Sequence, residues 1–229
     1  MEALGLKGSV HPHAIKLHDC GGKGGIKRKV HTILGAELGK AGANVRGVIL
    51  RDLDENETKE GIVENVEEQL KKTLAQRGYR HHSIELTPHS ADENVYLLNL
   101  TAPNLRLALH IATYRWREDF KNATIDDHVL SLALREQTII KLLTKKKWTH
   151  ITPEQVIRKV TTKIPDLLNA NGMPLREAKD YVRLYSVVMQ IRLSPAVFAR
   201  KILANASDEN KKETFASLLG AFTFVGETS

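Results

Sequence analysis

The sequence predicts an α/β fold, a parallel sheet flanked by helices and followed by a C-terminal helical region. In the first half of the 229-residue chain, β-like apolar runs alternate with segments of helical spacing. A βαβαβ order of this kind predicts a parallel sheet with helices against it. After Pro103 the spacing becomes helical throughout. We therefore expect an α/β core over residues 1–103 and a basic helical region over residues 104–229.

Hydrophobic spacing defines the elements of the α/β core. Strands show apolar residues in alternation or in short runs, and helices show them three and four residues apart. The run 45–50 predicts a strand buried on both faces. In chain order, the predicted elements are a strand at 13–18, a glycine-rich turn at 19–25, a helix at 26–38, a strand at 45–50, a helix at 58–77, and strands at 83–86 and 95–100.

The helical region is predicted from the same spacing and from residues that start helices. Thr152 precedes Pro153, and Ser194 precedes Pro195. A capping residue followed by proline in the first turn is typical of a helix start. The predicted helices are 104–116, 125–145, 153–168, 174–192, 195–205 and 208–220.

Composition and charge narrow the function classes. Hydrophobic residues make up 41% of the chain and charged residues 27%, which is typical of a globular core. The single cysteine excludes an internal disulfide and favours a reducing, cytoplasmic compartment. No apolar run reaches the roughly 18 residues that a membrane span needs. The net charge of +7 comes from residues 100–229, with 20 Lys/Arg against 13 Asp/Glu. Such a surface predicts nucleic acid as a partner, although it also serves solubility alone.

Two aspartates follow the strand at 45–50. Asp52 and Asp54 are expected beyond its carboxyl end, where open parallel sheets bind ligands. One intervening residue in an extended segment directs both side chains to the same side. Paired carboxylates suit a hard cation, Mg²⁺ or Mn²⁺, which polarises a phosphate. The alternative interpretation is a solvated acidic loop.

A glycine-rich turn is a candidate phosphate site. Gly21, Gly22, Lys23 and Gly24 lie between a predicted strand and a predicted helix. Backbone N–H groups at a helix N-terminus bind phosphate, and the alternative is a flexible turn.

Two further groups lie in the helical region. Asp126 and Asp127 open a predicted helix, either as first-turn residues favoured by the helix dipole or as additional metal ligands. The lysines at 145–147 and Trp148 combine charge with an aromatic ring. That combination suits a nucleic-acid backbone, and it equally suits the basic last turn of a helix.

A resemblance to a known family rests on two motifs, DCGGK at 19–23 and VILRDLD at 48–54. With them the chain resembles TOPRIM-like proteins of unknown function that are related to the OLD-family nucleases. The segments 123–130, 179–185 and 194–219 are similar to the family's helical part.

The resemblance implies a Mg²⁺-dependent (or Mn²⁺-dependent) nuclease acting on nucleic-acid phosphodiesters. Asp52 and Asp54 would then hold the metal and be catalytic. The family places a basic residue near the metals, and Lys201 is the candidate for that role, with a surface lysine as the alternative. The family also has a glutamate at the end of an earlier strand. Only twelve residues precede His13, so we expect that strand and its glutamate to be missing. The alternatives are a truncated chain, a start assigned too late, and a protein that has lost the element.

The missing strand and glutamate lead to a predicted homodimer and to two alternatives to the nuclease hypothesis. A sheet edge left exposed by the missing strand would pair with a second copy in a homodimer. Without the glutamate, the protein would be a binding module for nucleic acid or for a protein partner, such as the ATPase of a defence system. A purely structural oligomer subunit is the third hypothesis.

Overall fold

The computed structural model describes residues 23–79, 84–191 and 194–226. The described residues form two compact units. We call residues 23–111 with 217–226 the sheet unit, and residues 112–216 the helical unit. The strand predicted at 13–18 lies outside the described residues.

Four strands form one sheet with the order β1-β4-β3-β2. The strands are β1 (Asn44–Asp52), β2 (Thr87–His89), β3 (Asp92–Leu100) and β4 (Asn104–Ala112). Both β2 with β3 and β3 with β4 pair antiparallel. The predicted α/β class with C-terminal helices is confirmed. The parallel direction expected of the later strands is wrong, because the short turn at 101–103 reverses the chain between β3 and β4.

Helices come before, between and after the strands along the chain. They are α1 (Lys23–Lys29), α2 (Gly35–Leu38), α3 (Lys59–Gln76), α4 (Ile125–Ala133), α5 (Glu136–Lys146), α6 (Pro153–Arg158), α7 (Ile164–Ala170), α8 (Ala178–Val188), α9 (Pro195–Leu203), α10 (Asp208–Thr214) and α11 (Ala216–Gly226). Two π-helical turns, Val30–Leu34 and Lys159–Lys163, join α1 to α2 and α6 to α7. Among the residues described, no helix has the length and apolar character to cross a membrane.

Successive side chains of the strands point to opposite faces of the sheet, and the two faces contribute to two separate hydrophobic cores in the sheet unit. On one face, Leu105 and Leu107 of β4 pack in a cluster with side chains of α3, such as Leu70. On the other face, Ala108 packs with Ala221 of α11. Helices therefore cover both faces of β4, and this explains why nearly its whole length is buried.

The segment 104–112 is a strand where the sequence predicts the first part of a helix over 104–116. Every residue from Leu105 to Ala112 is buried. Large apolar side chains stand at every second position from Leu105 to Ile111, and the opposite face carries Arg106 and His110 with two alanines. This alternation is the period of a strand, and the helix prediction overlooks it. Pairing with β3 satisfies the backbone of β4 and decides the conformation.

The helical unit confirms most predicted helices and divides two of them. The predicted helix at 125–145 is split into α4 and α5, because Arg135 has an extended backbone with ψ of 129°. The predicted helix at 208–220 is interrupted at Phe215, and α11 then enters the sheet unit. Thr152 caps α6 as expected, accepting a hydrogen bond from the Gln155 backbone N–H.

Candidate functional site

Asp52 and Asp54 lie where the sequence predicts, at the carboxyl end of β1. Asp52 is the last residue of β1, and Asp54 follows two residues later. Both side chains are half-buried, and neither is free of interaction partners.

The side of the sheet that Asp52 occupies follows from strand alternation. Ile49 and Leu53 pack against the cluster that contains α3. Val48 packs on the opposite face, in the cluster with α11. Asp52 has the parity of Val48 and Leu50, so it belongs to the α11 face. Leu50 is 48% exposed, which shows that this face is open near the end of β1.

The donor chemistry of the aspartate pair suits a hard divalent ion. Carboxylate oxygens are the ligands that Mg²⁺ and Mn²⁺ prefer. Within the part of the chain that the structure describes, no group of three or more His, Cys, Asp or Glu side chains could hold a metal ion. Asp52 and Asp54 alone would therefore leave most positions of an octahedral Mg²⁺ to water or phosphate oxygens.

Asp127 is placed as a helix-capping residue. Its Oδ2 accepts hydrogen bonds from the backbone N–H and the hydroxyl of Thr124, both at 2.9 Å. Its Oδ1 accepts a hydrogen bond from the Trp116 backbone N–H at 2.9 Å. The side chain is fully buried and completes a capping box at the start of α4. Both oxygens are thus occupied by donors, an arrangement that does not fit a metal ligand.

Asp126 is half-buried in the first turn of α4, beside Asp127. The two residues belong to the helical unit, whereas Asp52 and Asp54 belong to the sheet unit.

In the predicted phosphate turn, Lys23 and Gly24 begin α1, and the two residues Gly21 and Gly22 lie outside the described residues.

The end of α5 gathers basic side chains beside an aromatic ring. Lys147 adopts a left-handed backbone with φ of 57°, and this ends the helix. The Trp148 backbone N–H then donates to the Leu143 carbonyl at 3.1 Å, as in a Schellman ending. The turn brings the ring close to the preceding residue, so that Lys146 Nζ lies 4.7 Å from the Trp148 ring centroid. This distance is that of a cation–π contact.

A second lysine, on α9, adds to this charge. Burial, and then the nearby positive charge of Lys201, lower the pKa of Lys146 below its ordinary value. Lys146 Nζ also donates to the Gln190 carbonyl at 3.3 Å. We call Lys145, Lys146, Lys147, Trp148 and Lys201 the basic cluster. Because burial and the charge of Lys201 disfavour the protonated form of Lys146, a bound anion would stabilise that form.

Sequence reasoning identified the members of the basic cluster separately. The run at 145–147 with Trp148 was a candidate for phosphate contact, and Lys201 was assigned by resemblance to the metal site. Both belong to the helical unit, where the charge of Lys201 acts on Lys146. Sequence reasoning missed Gln190, whose carbonyl contacts Lys146 from a left-handed backbone with φ of 47°. Glutamine rarely adopts this conformation, and the sequence has no signal for it.

Comparison with known proteins gives no match among family models, curated proteins or solved structures. The relationship to TOPRIM-like proteins therefore stays a prediction that rests on the two motifs.

Proposed function

We propose that this protein binds nucleic acid through the phosphate backbone, using the basic cluster of the helical unit. The observation that supports the proposal is the contact of the Lys146 ammonium with the ring of Trp148, in a run of three lysines and within the electrostatic reach of Lys201. Closely placed ammonium groups favour a bound phosphate, and an aromatic ring gives a base a surface on which to stack.

The wider charge distribution supports the same function. Residues 100–229 hold 20 Lys/Arg against 13 Asp/Glu. Lys145 and Lys147 flank Lys146 with exposed side chains. Contacts of this kind depend strongly on salt, because each neutralised phosphate releases condensed counterions.

Anisotropy titrations of labelled oligonucleotides test this proposal. Single-stranded DNA, single-stranded RNA and duplex DNA are titrated with the full chain over a series of salt concentrations. We expect the double substitution Lys146→Gln/Lys201→Gln to weaken binding and to reduce the salt slope by about 1 per lysine. The matched control is Lys71→Gln/Lys72→Gln, because it removes the same charge from exposed lysines of α3 in the sheet unit. An equal loss in the control, or no binding by the wild type, would contradict the proposal.

The stacking role of Trp148 has its own measurement. Trp148→Leu removes the ring but leaves every charge of the basic cluster. If a base stacks on the ring, the substitution weakens single-stranded binding by about 1–3 kcal/mol and leaves the salt slope unchanged. Duplex binding should change less, because the bases of a duplex are already stacked.

The position of Asp52 and Asp54 favours a second function, Mg²⁺-dependent cleavage of phosphodiesters. This is also the function that the resemblance to TOPRIM-like nucleases implies. The two aspartates would hold the ion, and the ion would supply charge stabilisation at a phosphoryl oxygen.

A metal titration separates this function from binding alone. Calorimetry with Mg²⁺ and Mn²⁺ compares the wild type with Asp52→Asn/Asp54→Asn. The control variant, Glu60→Gln/Glu64→Gln, removes two exposed carboxylates from α3. Saturable binding that only the aspartate variant loses would support a metal site and justify cleavage assays. Equal binding by all three proteins would leave an acidic loop.

Association with a second copy is a further proposal at the level of assembly. Among the strands that the structure describes, β1 lies at one end of the sheet order. A strand in that position offers backbone groups for pairing. Sedimentation of the full chain at several concentrations tests the homodimer.

An ATPase partner and a cytoplasmic location remain predictions from the sequence.

A further inference from the structure

A crevice in the sheet unit lies beside the carboxyl end of β1, between the start of α3 and the helical segment that begins with α1. Its volume is about 320 Å³, at the lower end of the range for small-molecule sites, roughly 300–1,000 Å³. One wall is apolar, formed by Ile26, Val30, Ile62 and Val66. Val30 opens a π-helical turn, and such turns are frequent at functional sites.

The charges that line the crevice cancel. Arg51 donates a hydrogen bond to Glu57 Oε1 at 2.8 Å. Their side chains are only 12% and 23% exposed. Arg51 and Glu57 are the charged residues of the described lining. A crevice of this kind has no excess charge to attract an ion, and it favours an uncharged ligand.

Three carboxamides give the crevice its hydrogen-bonding capacity. Asn56, Asn65 and Gln69 line it, and each side chain offers both donors and an acceptor. Asn65 and Gln69 are four residues apart on α3, so they lie on the same face of the helix. Among the described residues, no hydrogen bond involves these three side-chain amides.

The start of α3 keeps space open beside the amides. Gly61 is one turn before Asn65 and also lines the crevice. Its backbone N–H donates to Thr58 Oγ1 at 3.1 Å, which caps the helix. A Cβ at Gly61 would lie 3.3 Å from that hydroxyl oxygen, so a side chain there would crowd the cap and narrow the crevice.

We infer that this crevice binds an uncharged nucleoside. The apolar wall suits the face of a planar ring, and Asn and Gln side chains match the paired donors and acceptors on the edge of a base. The volume suits one base with its sugar. The inference is independent of the proposed nucleic-acid function, which uses residues of the helical unit.

Calorimetry and saturation-transfer NMR on the full chain test the inference with adenosine, guanosine, cytidine and uridine. We expect saturable binding of at least one nucleoside. Asn65→Leu and Gln69→Leu remove one amide each while keeping a side chain of similar size, and each should weaken binding about tenfold. Glu64→Gln, an exposed α3 residue outside the crevice, should leave the affinity unchanged.

Three results would overturn the inference. They are no binding of any nucleoside, binding that both leucine variants retain, and binding of nucleoside monophosphates without the parent nucleosides. The third would indicate an anion site. Thermal unfolding of each variant separates lost binding from lost folding. Intact nucleoside binding by Lys146→Gln/Lys201→Gln would show that the crevice and the basic cluster act separately.

Discussion

Asp127 is the residue whose structural role is most sharply defined. Its two oxygens accept three hydrogen bonds, from Thr124 and Trp116, in a site with no solvent exposure. Asp127→Asn replaces one acceptor with an NH₂ group that must face a donor. We expect it to lower the free energy of unfolding by about 2–3 kcal/mol, because a buried donor loses its partner. Urea denaturation followed by circular dichroism measures the change.

Asp126→Asn is the matched control for that prediction. Asp126 is adjacent in sequence but half-buried, so we expect a loss below about 1 kcal/mol. A larger loss from Asp126→Asn than from Asp127→Asn would contradict the capping role. The sequence offered both the cap and a metal ligand for these residues. The sequence does not distinguish the capping role from the metal-ligand role, because the hydrogen bond from the Trp116 N–H comes from a residue outside the helix.

Two tyrosines of α8 differ in how their hydroxyl groups are satisfied. The hydroxyl of Tyr181 accepts a hydrogen bond from Arg117 at 3.1 Å. The hydroxyl of Tyr185 is buried without a hydrogen-bond partner among the described residues, and burial raises the pKa of Tyr185 far above its usual range. We expect Tyr185→Phe to leave stability unchanged or to raise it by up to about 1 kcal/mol, whereas Tyr181→Phe loses about 1 kcal/mol. Denaturant titrations of both variants give the comparison, and the reverse order would refute it.

At the scale of elements, the effect of a charge on α9 on the last turn of α5 predicts a pH dependence of nucleic-acid binding. Burial and the charge of Lys201 lower the pKa of Lys146. The protonated form binds an anion, so binding raises this pKa. Affinity is therefore complete at pH values below the pKa of Lys146 in the free protein, and part of it is lost as the pH rises through that value. The loss should begin at a lower pH than for an ordinary lysine.

Removing one lysine tests the origin of that dependence. Lys201→Gln removes the repelling charge, so the pKa of Lys146 should rise toward its ordinary value. The rise should be partial, because burial is the larger cause. NMR titration of lysine side-chain signals measures the pKa, and Lys163→Gln, an exposed lysine, is the control. An unchanged pKa of Lys146 in Lys201→Gln would contradict the electrostatic effect of Lys201 on Lys146.

The elements also show what local sequence determines. Helix starts with side-chain caps, at Thr58 and Thr152, were predictable because cap and first turn are adjacent in sequence. The strand at 104–112 was predictable as well, because large apolar residues stand at every second position from Leu105 to Ile111. The position of Asp52 at a strand end was predictable from the apolar run before it. The effect of Lys201 on Lys146 was not, because the two lysines are far apart in the sequence.

At the scale of the whole molecule, the sheet unit is discontinuous in sequence. Its second core is completed by α11, which follows the entire helical unit in the chain. Two arginines of the sheet contact this helix. Arg46 donates to the Val225 carbonyl at 3.0 Å, and the guanidinium of Arg106 lies 4.5 Å from the ring centroid of Phe224. The predicted helix over 208–220 spans α10 and the first part of α11. The sequence alone does not show that α11 packs against the sheet.

The return of α11 makes a prediction about the stability of β4. Ala221 is fully buried on the face of Ala108, so Ala221→Glu places an unpaired charge in that core. The cost should be about 3–5 kcal/mol. Hydrogen exchange of the β4 amides should accelerate accordingly, because the strand loses its cover on one face. Thr223→Glu introduces the same charge at an exposed position of α11, and it should change stability by less than about 0.5 kcal/mol. Preserved protection of β4 in Ala221→Glu would mean that α11 is not needed to hold the sheet.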